Sequence, residues 1–169
     1  MEAANRGHRE GSKNNPSHSF GLLIDLPMGQ SGNHSLDIKK EFKTFTARLD
    51  SFMALSNVVI VAPGGIGTIL ELFYTWQLIQ VKHICEMPVI LLGPMWKDLL
   101  KWVKKWPLKQ GFMNPDDMDV MCTANKNKKA IEIITKAHAH YLRGSNTCID
   151  LDKYLLFKHK KKKKRKKKK

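Results

Sequence analysis

The stretch NVVIVAPGGIGTILE, residues 57–71, decides the fold class of this chain. Its first part carries four β-branched residues in a row, Val58 to Val61, which predicts a strand covered on both faces. A glycine-rich PGGIGT follows at once, and then a helix is predicted from Thr68 to about Gln80. A strand, a tight turn and a helix in this order are typical of an α/β domain with a parallel sheet.

The turn itself predicts a site for an anion such as a phosphate. Gly64, Gly65 and Gly67 let backbone N–H groups approach a ligand closely. Thr68 is placed to cap the helix and to offer its hydroxyl to a phosphate oxygen, and the positive end of the helix dipole favours an anion. The alternative is a tight turn that binds nothing, which the glycines alone leave open. The turn has no Walker A lysine and does not match GxGxxG.

Two charged side chains are candidates to act beside this turn. Glu71, three residues after Thr68, is either a carboxylate aimed into the site or the acidic member of a capping box in the first helical turn. Arg48 precedes Pro63 by fifteen residues, and its planar guanidinium suits phosphate or carboxylate recognition. A solvated helix residue is the alternative for Arg48.

The rest of the chain extends the strand and helix alternation. Apolar runs predict strands at residues 19–26 and 88–92, with a further short strand at 118–122. Helices are predicted at residues 1–10, 37–56, 95–106 and 126–142. The predicted inward residues are Phe42, Phe45, Leu49, Phe52 and Met53 in the second helix, and Ile131, Ile134, Ala137 and Tyr141 in the last. A short strand around residues 42–46 is an alternative start to the second helix.

This alternation predicts a Rossmann-like, three-layer α/β/α fold with a mainly parallel sheet and right-handed crossovers. The folded domain is predicted to cover residues 1–142. The four tryptophans are interpreted as core or dimer-contact residues rather than base-stacking platforms: Trp76, Trp96, Trp102 and Trp106.

The charge of the chain is concentrated at its end. Of the formal net charge of +15, residues 158–169 carry eleven lysines and arginines, which leaves 15 − 11 = +4 elsewhere. Such a run repels itself, so residues 143–169 are predicted to be a disordered basic tail. A solubilising end, a nuclear-import or nucleic-acid-binding tail, and contact with an acidic membrane are the alternatives, the last being the weakest.

Other sequence features limit the class of protein. The chain has no run of 18 apolar residues, and its start lacks an apolar signal-peptide segment, so neither a membrane span nor secretion is predicted. Three cysteines without CxxC spacing predict neither a disulfide framework nor a zinc site. A reducing cytoplasm fits them best.

Together these residues resemble the LOG ("lonely guy") family of phosphoribohydrolases, once described as possible lysine decarboxylases. The family motif is PGGxGTxxE, and residues 63–71 read PGGIGTILE. Arg48 has the spacing of the family's upstream arginine. The flanking segments also resemble the family over roughly residues 1–140, namely MEAANRG at 1–7, FGLLIDLPMGQ at 20–30, ELFYTWQLIQ at 71–80 and PVILLG at 88–93.

The resemblance implies hydrolysis of the N-glycosidic bond of a nucleoside 5′-monophosphate, AMP or a cytokinin-type N6-modified AMP, to free base and ribose 5-phosphate. It implies that Arg48 and Glu71 are the catalytic pair and that the phosphate lies on Gly64, Gly65, Gly67 and Thr68. It also implies a homodimer and no metal or other cofactor.

Two departures from the family pattern keep other functions open. Leu49 stands where the family usually has a lysine after the arginine, and the chain is expected to begin after the family's first strands and first glycine-rich loop. One alternative is therefore a nucleotide-binding remnant without activity. The other is a protein associated with nucleic acid through residues 158–169, with the nucleus as its location.

Overall fold

A computed structural model describes residues 1–14, 17–27 and 32–143 of the chain. It divides into two compact units, one formed by Met1–Ala54 and the other beginning at Leu55. Most of the predicted basic tail, from residue 144 onward, lies outside the described residues. None of the described helices is both long enough and apolar enough to span a membrane.

The N-terminal unit pairs two parallel strands and carries two helices. Its elements are α1 (Glu2–Gly11), β1 (Phe20–Ile24), β2 (Ile38–Phe42) and α2 (Phe45–Leu55). The pairing aligns Phe20 with Ile38 and Ile24 with Phe42. The predicted helix over residues 37–56 is therefore wrong in its first part, because residues 38–42 gain a ladder of hydrogen bonds with β1 that no local pattern reveals.

In the region predicted as one helix, the buried residues also differ in part from those predicted to face inward. Phe42 is buried at the end of β2, whereas Phe45, at the start of α2, is mostly solvent-exposed. Leu49 and Met53 are buried on α2, as predicted. The three-residue step from Phe42 to Phe45 crosses the strand-to-helix junction, so it does not define one helical face.

A polar contact joins the starts of the two strands. The Asp37 carboxylate accepts hydrogen bonds from the backbone N–H of Ser19 (2.7 Å) and from its hydroxyl (3.0 Å). Both bonds favour the charged carboxylate, so they hold the pKa of Asp37 below its ordinary value of 3.8. The bond from the Ser19 backbone has the larger effect, and the bond from its hydroxyl the smaller one. The contact helps to fix the register of β1 on β2.

The second unit alternates strands and helices. Its elements are β3 (Val59–Val61), α3 (Ile66–Gln80), β4 (Val89–Leu92), α4 (Trp96–Val103), a π-helical segment (Lys104–Leu108), a 3-10 turn (Pro115–Met118), β5 (Met121–Ala124) and α5 (Asn127–Leu142). The predicted strands at residues 57–62 and 88–92 are confirmed. The predicted strand at 118–122 lies a few residues later, because residues 115–118 form the 3-10 turn.

The three strands of this unit form a parallel sheet in the order β3-β4-β5. Val89, Ile90 and Leu91 of β4 are completely buried although successive residues point to opposite faces, so both faces of this strand are covered. Ile60 of β3 is 49% exposed, which corrects the prediction that β3 is covered on both faces. Ile60 is paired with Ile90 in the register, but its strand, β3, is an edge strand of this sheet whereas β4 is the central one.

Helix α5 covers the Ile90 face of the sheet. Ala130, Ile133 and Ile134 of the helix pack around Ile90 and Ala124. Ile131 was predicted to face inward but is 61% exposed. Ala130 rather than Ile131 meets the sheet, whereas Ile134 packs against it as predicted.

Both units contain parallel strands together with helices, and in the second unit helices connect the strands. The protein therefore has a Rossmann-like α/β fold, as the sequence predicted, with parallel strands in open sheets.

Candidate phosphate-binding site

The PGGIGT turn lies at the carboxyl edge of the sheet in the second unit. It connects the end of β3 to the start of α3, and because the strands are parallel, the loops after β4 and β5 leave the same edge. In open α/β sheets, ligands bind outside the carboxyl ends of the strands. Gly65 and Gly67 are exposed and Gly64 is half-buried, so the turn is accessible.

Helix α3 begins two residues earlier than predicted. Gly65 is its N-cap residue, with an extended backbone (φ −96°, ψ −152°), and no side chain caps the helix. The prediction that Thr68 caps the helix is therefore wrong. The two glycines complete the turn before Ile66, so Thr68 is already the third helical residue, and Glu71 lies in the second turn rather than in a capping box.

The helix start presents unpaired amides toward the turn. Ile69 N donates to the Gly65 carbonyl over 3.0 Å, which closes the first turn of α3. The N–H groups of Ile66, Gly67 and Thr68 precede this bond, so the helix itself supplies no acceptor for them. Amides in this position, with the helix dipole behind them, attract anions.

The first glycine of the turn is required by its own neighbour. A Cβ built on Gly64 would approach the Cβ of Thr68 to 2.7 Å and its hydroxyl more closely still. Thr68 therefore folds back against Gly64. Its side chain lies beside the turn that precedes the helix, where the predicted contact with a phosphate would occur.

The other two glycines have no such neighbour. A Cβ built on Gly65 or on Gly67 would meet no atom within 4 Å. Neither residue has a positive φ, so the chain has no steric reason of its own for a glycine at either position. The open space in front of both residues gives a ligand access to the backbone amides.

The loop after β4 supports the turn from the side. Gly93 has a φ of +104°, and a Cβ built on it would lie 3.1 Å from the Cγ of Pro63. Its N–H donates to the Ala124 carbonyl over 2.8 Å, which ties this loop to β5. Sequence reasoning did not assign Gly93 to the site. The sequence signal that could have indicated Gly93 was its position directly after a buried strand and before Pro94, where a turn at the carboxyl edge of the sheet is expected.

Glu71 lies one helical turn beyond the free amides. It follows Gly67 by four residues and Thr68 by three, so all three lie on one side of α3. The rise from Thr68 to Glu71 along the helix is about 4.5 Å. Glu71 is half-buried, and its carbonyl accepts a hydrogen bond from the hydroxyl of the buried Thr75 over 2.7 Å.

Helix α3 is held in place by contacts that the sequence did not predict. The indole N–H of Trp76 donates to the Asp117 carbonyl over 2.6 Å, and the Gln80 side chain donates to the Asp117 carboxylate over 2.8 Å. Asn114 and Asp117 also cap the 3-10 turn reciprocally. These bonds fix the helix whose first turn carries the candidate site.

Arg48 belongs to the N-terminal unit. Thr44 caps helix α2, because its hydroxyl accepts from the Ala47 N–H over 3.3 Å, and Arg48 follows in the first turns. The Arg48 Nε donates to the Leu22 carbonyl of β1 over 2.8 Å. Arg48 is therefore a half-buried, positioned side chain, unlike the solvated helix residue of the alternative interpretation.

The predicted site residues fall into two groups. Gly64, Gly65, Gly67, Thr68 and Glu71 come together around the start of α3. Arg48 lies in the other unit, so its pairing with Glu71 stays a prediction. Among the described residues, no three His, Cys, Asp or Glu side chains form a group that could hold a metal ion.

Fold and turn together define a Rossmann-like α/β protein with a glycine-rich, accessible turn at a helix start. A family model described as "possible lysine decarboxylase" matches residues 1–134, which is most of the chain. The chain therefore belongs to this family, the LOG family that the motif in residues 63–71 indicated. No curated protein matches the chain.

Proposed function

We propose that the protein hydrolyses the N-glycosidic bond of a nucleoside 5′-monophosphate, AMP or N6-modified AMP of the cytokinin type, to free base and ribose 5-phosphate. The observation that carries this proposal is the open space at Gly65 and Gly67 before the amides of α3. Backbone amides at a helix start suit the dianionic end of such a substrate. Membership of the LOG family supports the same substrate class.

The first step is binding of the 5′-phosphate. The amides of Ile66, Gly67 and Thr68 would donate to its oxygens, with the Thr68 hydroxyl as a further donor. Because this end of the substrate is held by the backbone, the ribose would extend from the phosphate along the side of α3 toward Glu71. The interval of one helical turn is comparable to the span between a 5′-phosphate and the anomeric carbon.

The second step is cleavage. The Glu71 carboxylate would stabilise the positive charge that develops on the ribose, or position the water that attacks the anomeric carbon, as carboxylates do in other glycosidic hydrolyses. Water adds to the ribose as the bond to the base nitrogen breaks, and the base leaves with a proton. Arg48 would orient the substrate and offset developing negative charge.

A substitution of Glu71 tests the catalytic assignment. Glu71→Gln keeps the shape of the side chain and removes its charge, so base release from AMP should fall about 100-fold or more. Free base is measured by chromatography, and AMP binding by calorimetry should remain within a few-fold. Glu86→Gln, at an exposed position outside the turn, is the matched control.

The outcomes separate the proposed function from its closest alternative. Equal base release by Glu71→Gln and the unchanged protein would refute the catalytic role of Glu71. Saturable AMP binding without any base release would favour a nucleotide-binding protein without activity. That second candidate is favoured by Leu49, which is buried on α2 and supplies no charge where the family usually has a lysine.

A homodimer is part of the proposal. Helix α3 exposes apolar side chains at steps of four and three residues, Ile66, Leu70 and Phe73, with Ile66 82% exposed. An exposed apolar stripe of this kind is typical of a protein interface. Light scattering should give twice the chain mass, and Leu70→Glu should reduce it toward the mass of one chain.

The cytoplasm is the proposed location of the reaction, with the nucleus as the alternative through residues 158–169. Cys85 and Cys122 are both free thiols, which fits a reducing compartment. Burial raises the pKa of the Cys122 thiol above its ordinary value, which disfavours the reactive thiolate form. Fluorescence microscopy of the tagged chain, with and without residues 158–169, distinguishes the two locations.

A further inference from the structure

Helix α4 and the π-helical segment after it present two different faces. Trp96 and Val103 are buried almost completely. Trp102 and Trp106, in contrast, are 52% and 48% exposed. Trp102 and Trp106 are therefore not core residues, and for these two only the dimer-contact part of the earlier interpretation stays open.

Lysines accompany the exposed tryptophans. Residues 95–112 contain five lysines and one acidic residue, Asp98. Lys101, Lys105 and Lys109 recur every four residues, so they form one row with successive side chains about 6 Å apart. This row and the two indoles define the tryptophan–lysine face: Lys101, Trp102, Lys105, Trp106 and Lys109.

Contacts within the tryptophan–lysine face leave it available to an anion. The Lys105 Nζ lies 5.2 Å from the centre of the Trp106 ring. Lys101 pairs with Asp98 over 2.8 Å, but the side chains are 77% and 81% exposed, so this pair is weak and easily exchanged. Residues 104–108 form a π-helical turn that contains Pro107, whose missing N–H interrupts the regular α-helical hydrogen bonds.

We propose that the tryptophan–lysine face binds single-stranded nucleic acid, with bases stacked on Trp102 and Trp106 and phosphates paired with the lysine row. Flat aromatic side chains beside a line of positive charge are the features that bind single strands without sequence preference. Phe112, just beyond the π-helical segment, is 81% exposed and extends the aromatic surface.

A membrane surface fits the tryptophan–lysine face less well. Helices that lie in a membrane interface bury a broad aliphatic face in the lipid. In α4 that side is already used, because Val103 packs into the protein and Leu99 and Leu100 are partly buried. What remains for a partner is aromatic and cationic.

This face differs in composition from the basic run at residues 158–169. The run has eleven positive charges but no Phe, Tyr or Trp after Phe157, so it attracts phosphates and offers no indole on which a base can stack. Base stacking is therefore the property that distinguishes binding at the tryptophan–lysine face from binding by the tail.

Intrinsic tryptophan fluorescence of the full-length chain tests the proposal. Titration with oligo(dT) or poly(U) should quench the emission in a saturable way, because stacked bases quench exposed indoles. Inorganic polyphosphate, which has charge but no bases, should bind without that quenching. Trp76 and Trp96 are buried and provide a constant background.

Variants of the full-length chain locate the binding. Trp102→Ala with Trp106→Ala should abolish the quenching and weaken oligonucleotide binding, measured by fluorescence anisotropy, about tenfold. Lys101, Lys105 and Lys109 changed together to Ala should weaken it comparably. Lys126, at the N-cap of α5, and Lys128 and Lys136 on its exposed side carry the same charge, and changing all three to Ala should have little effect. Phe45→Ala should likewise have little effect.

Three results would overturn the proposal. Oligonucleotide binding without quenching, unchanged by the variants, would assign it to the tail alone. Binding to phosphatidylserine vesicles that depends on Trp102 and Trp106, without quenching by oligonucleotides, would make this a membrane-binding face. A dimer that dissociates in the tryptophan variant and shows no oligonucleotide quenching would make it an interface between copies of the chain.

Discussion

The PGGIGT turn and the tryptophan–lysine face are both proposed to bind phosphate groups, by different physical means. The turn uses backbone amides at the start of α3, which the fold holds in fixed directions. The tryptophan–lysine face uses long, exposed side chains whose charges move and are screened by salt. The first arrangement suits one small anion in one orientation, and the second suits an extended polymer. A phosphate site is therefore better judged by what holds its donors than by net charge.

The largest expected effect comes from comparing two glycines of the turn. Gly67→Ala places a methyl group in open space before the amides, so AMP binding should weaken roughly 10- to 100-fold, the value of one charged hydrogen bond. The protein should be as stable as before, or more so by up to about 1 kcal/mol, since alanine favours the helix.

Gly64→Ala should behave in the opposite way. Its methyl group would collide with Thr68, which should destabilise the protein by about 1–3 kcal/mol. Calorimetric AMP titration and thermal unfolding of the two variants measure both effects. Equal loss of stability in both variants, with AMP affinity unchanged in Gly67→Ala, would mean that these glycines serve only the turn.

The next largest effect should be a difference between the two regions in how strongly salt weakens binding. Replacing Lys101, Lys105 and Lys109 together should make the slope of log affinity against log salt for a single strand less steep by about 2, which is about 0.7 per phosphate contact. The slope for AMP should stay the same, because none of these lysines belongs to the turn. Anisotropy titrations between 50 and 200 mM salt, about the range in which this effect is large, measure the difference. An altered AMP slope would contradict the separation.

A smaller effect should follow from the loop that supports the turn. Gly93→Ala forces a side chain into a positive φ and against Pro63, so stability should fall by about 1–2 kcal/mol and AMP binding should weaken. Gly111→Ala is the matched control. Its φ is +75°, but a Cβ there meets nothing within 4 Å, so it should lose stability and keep AMP affinity. Equal AMP affinity in both variants would show that Pro63 does not depend on Gly93.

The smallest expected effect concerns acid and lies outside both regions. The pKa of Asp37 is lowered by its bonds to Ser19, so its stabilising contribution is complete above the ordinary value of 3.8 and is lost as pH falls through the lowered pKa. Asp37→Asn should therefore be less stable than the unchanged protein at pH 7, and the difference should vanish in stronger acid.

Thermal unfolding across this pH range checks the Asp37 prediction. Asp119→Asn, at an exposed position, is the control and should leave the profile unchanged. AMP binding and oligonucleotide quenching at pH 7 should not respond to Asp37→Asn, since neither region includes the Ser19 contact. A difference between Asp37→Asn and the unchanged protein that persists in strong acid would contradict the assigned role.

Sequence reasoning succeeded where the signal was local. An unbroken β-branched run before PGGIGT predicted β3, and the run at residues 88–92 predicted β4. The motif in residues 63–71 predicted the family, which the match over residues 1–134 confirms. The assignments of Arg48 and Glu71 as catalytic residues, and of the glycines and Thr68 as phosphate ligands, remain predictions.

Errors arose where a contact distant in sequence decided the outcome. Residues 38–42 form a strand because β1 lies beside them, although IKKEF has no clear strand pattern. Ile131 is exposed because α5 packs through Ala130, Ile133 and Ile134 instead. Ile60 is exposed on β3, which is an edge strand of its sheet. The helical spacing of the apolar residues did not distinguish the exposed Trp102 and Trp106 from the buried Trp96.

The sequence by itself determined the strand, turn and helix around residues 57–80, since short-range preferences and the flexibility of glycine act between neighbours. Only the tertiary structure decided that Gly64 is required by Thr68 whereas Gly65 and Gly67 face open space, that Gly93 supports Pro63, and that two tryptophans remain at the surface. Such properties depend on which atoms meet after the chain has packed, and no local pattern encodes that.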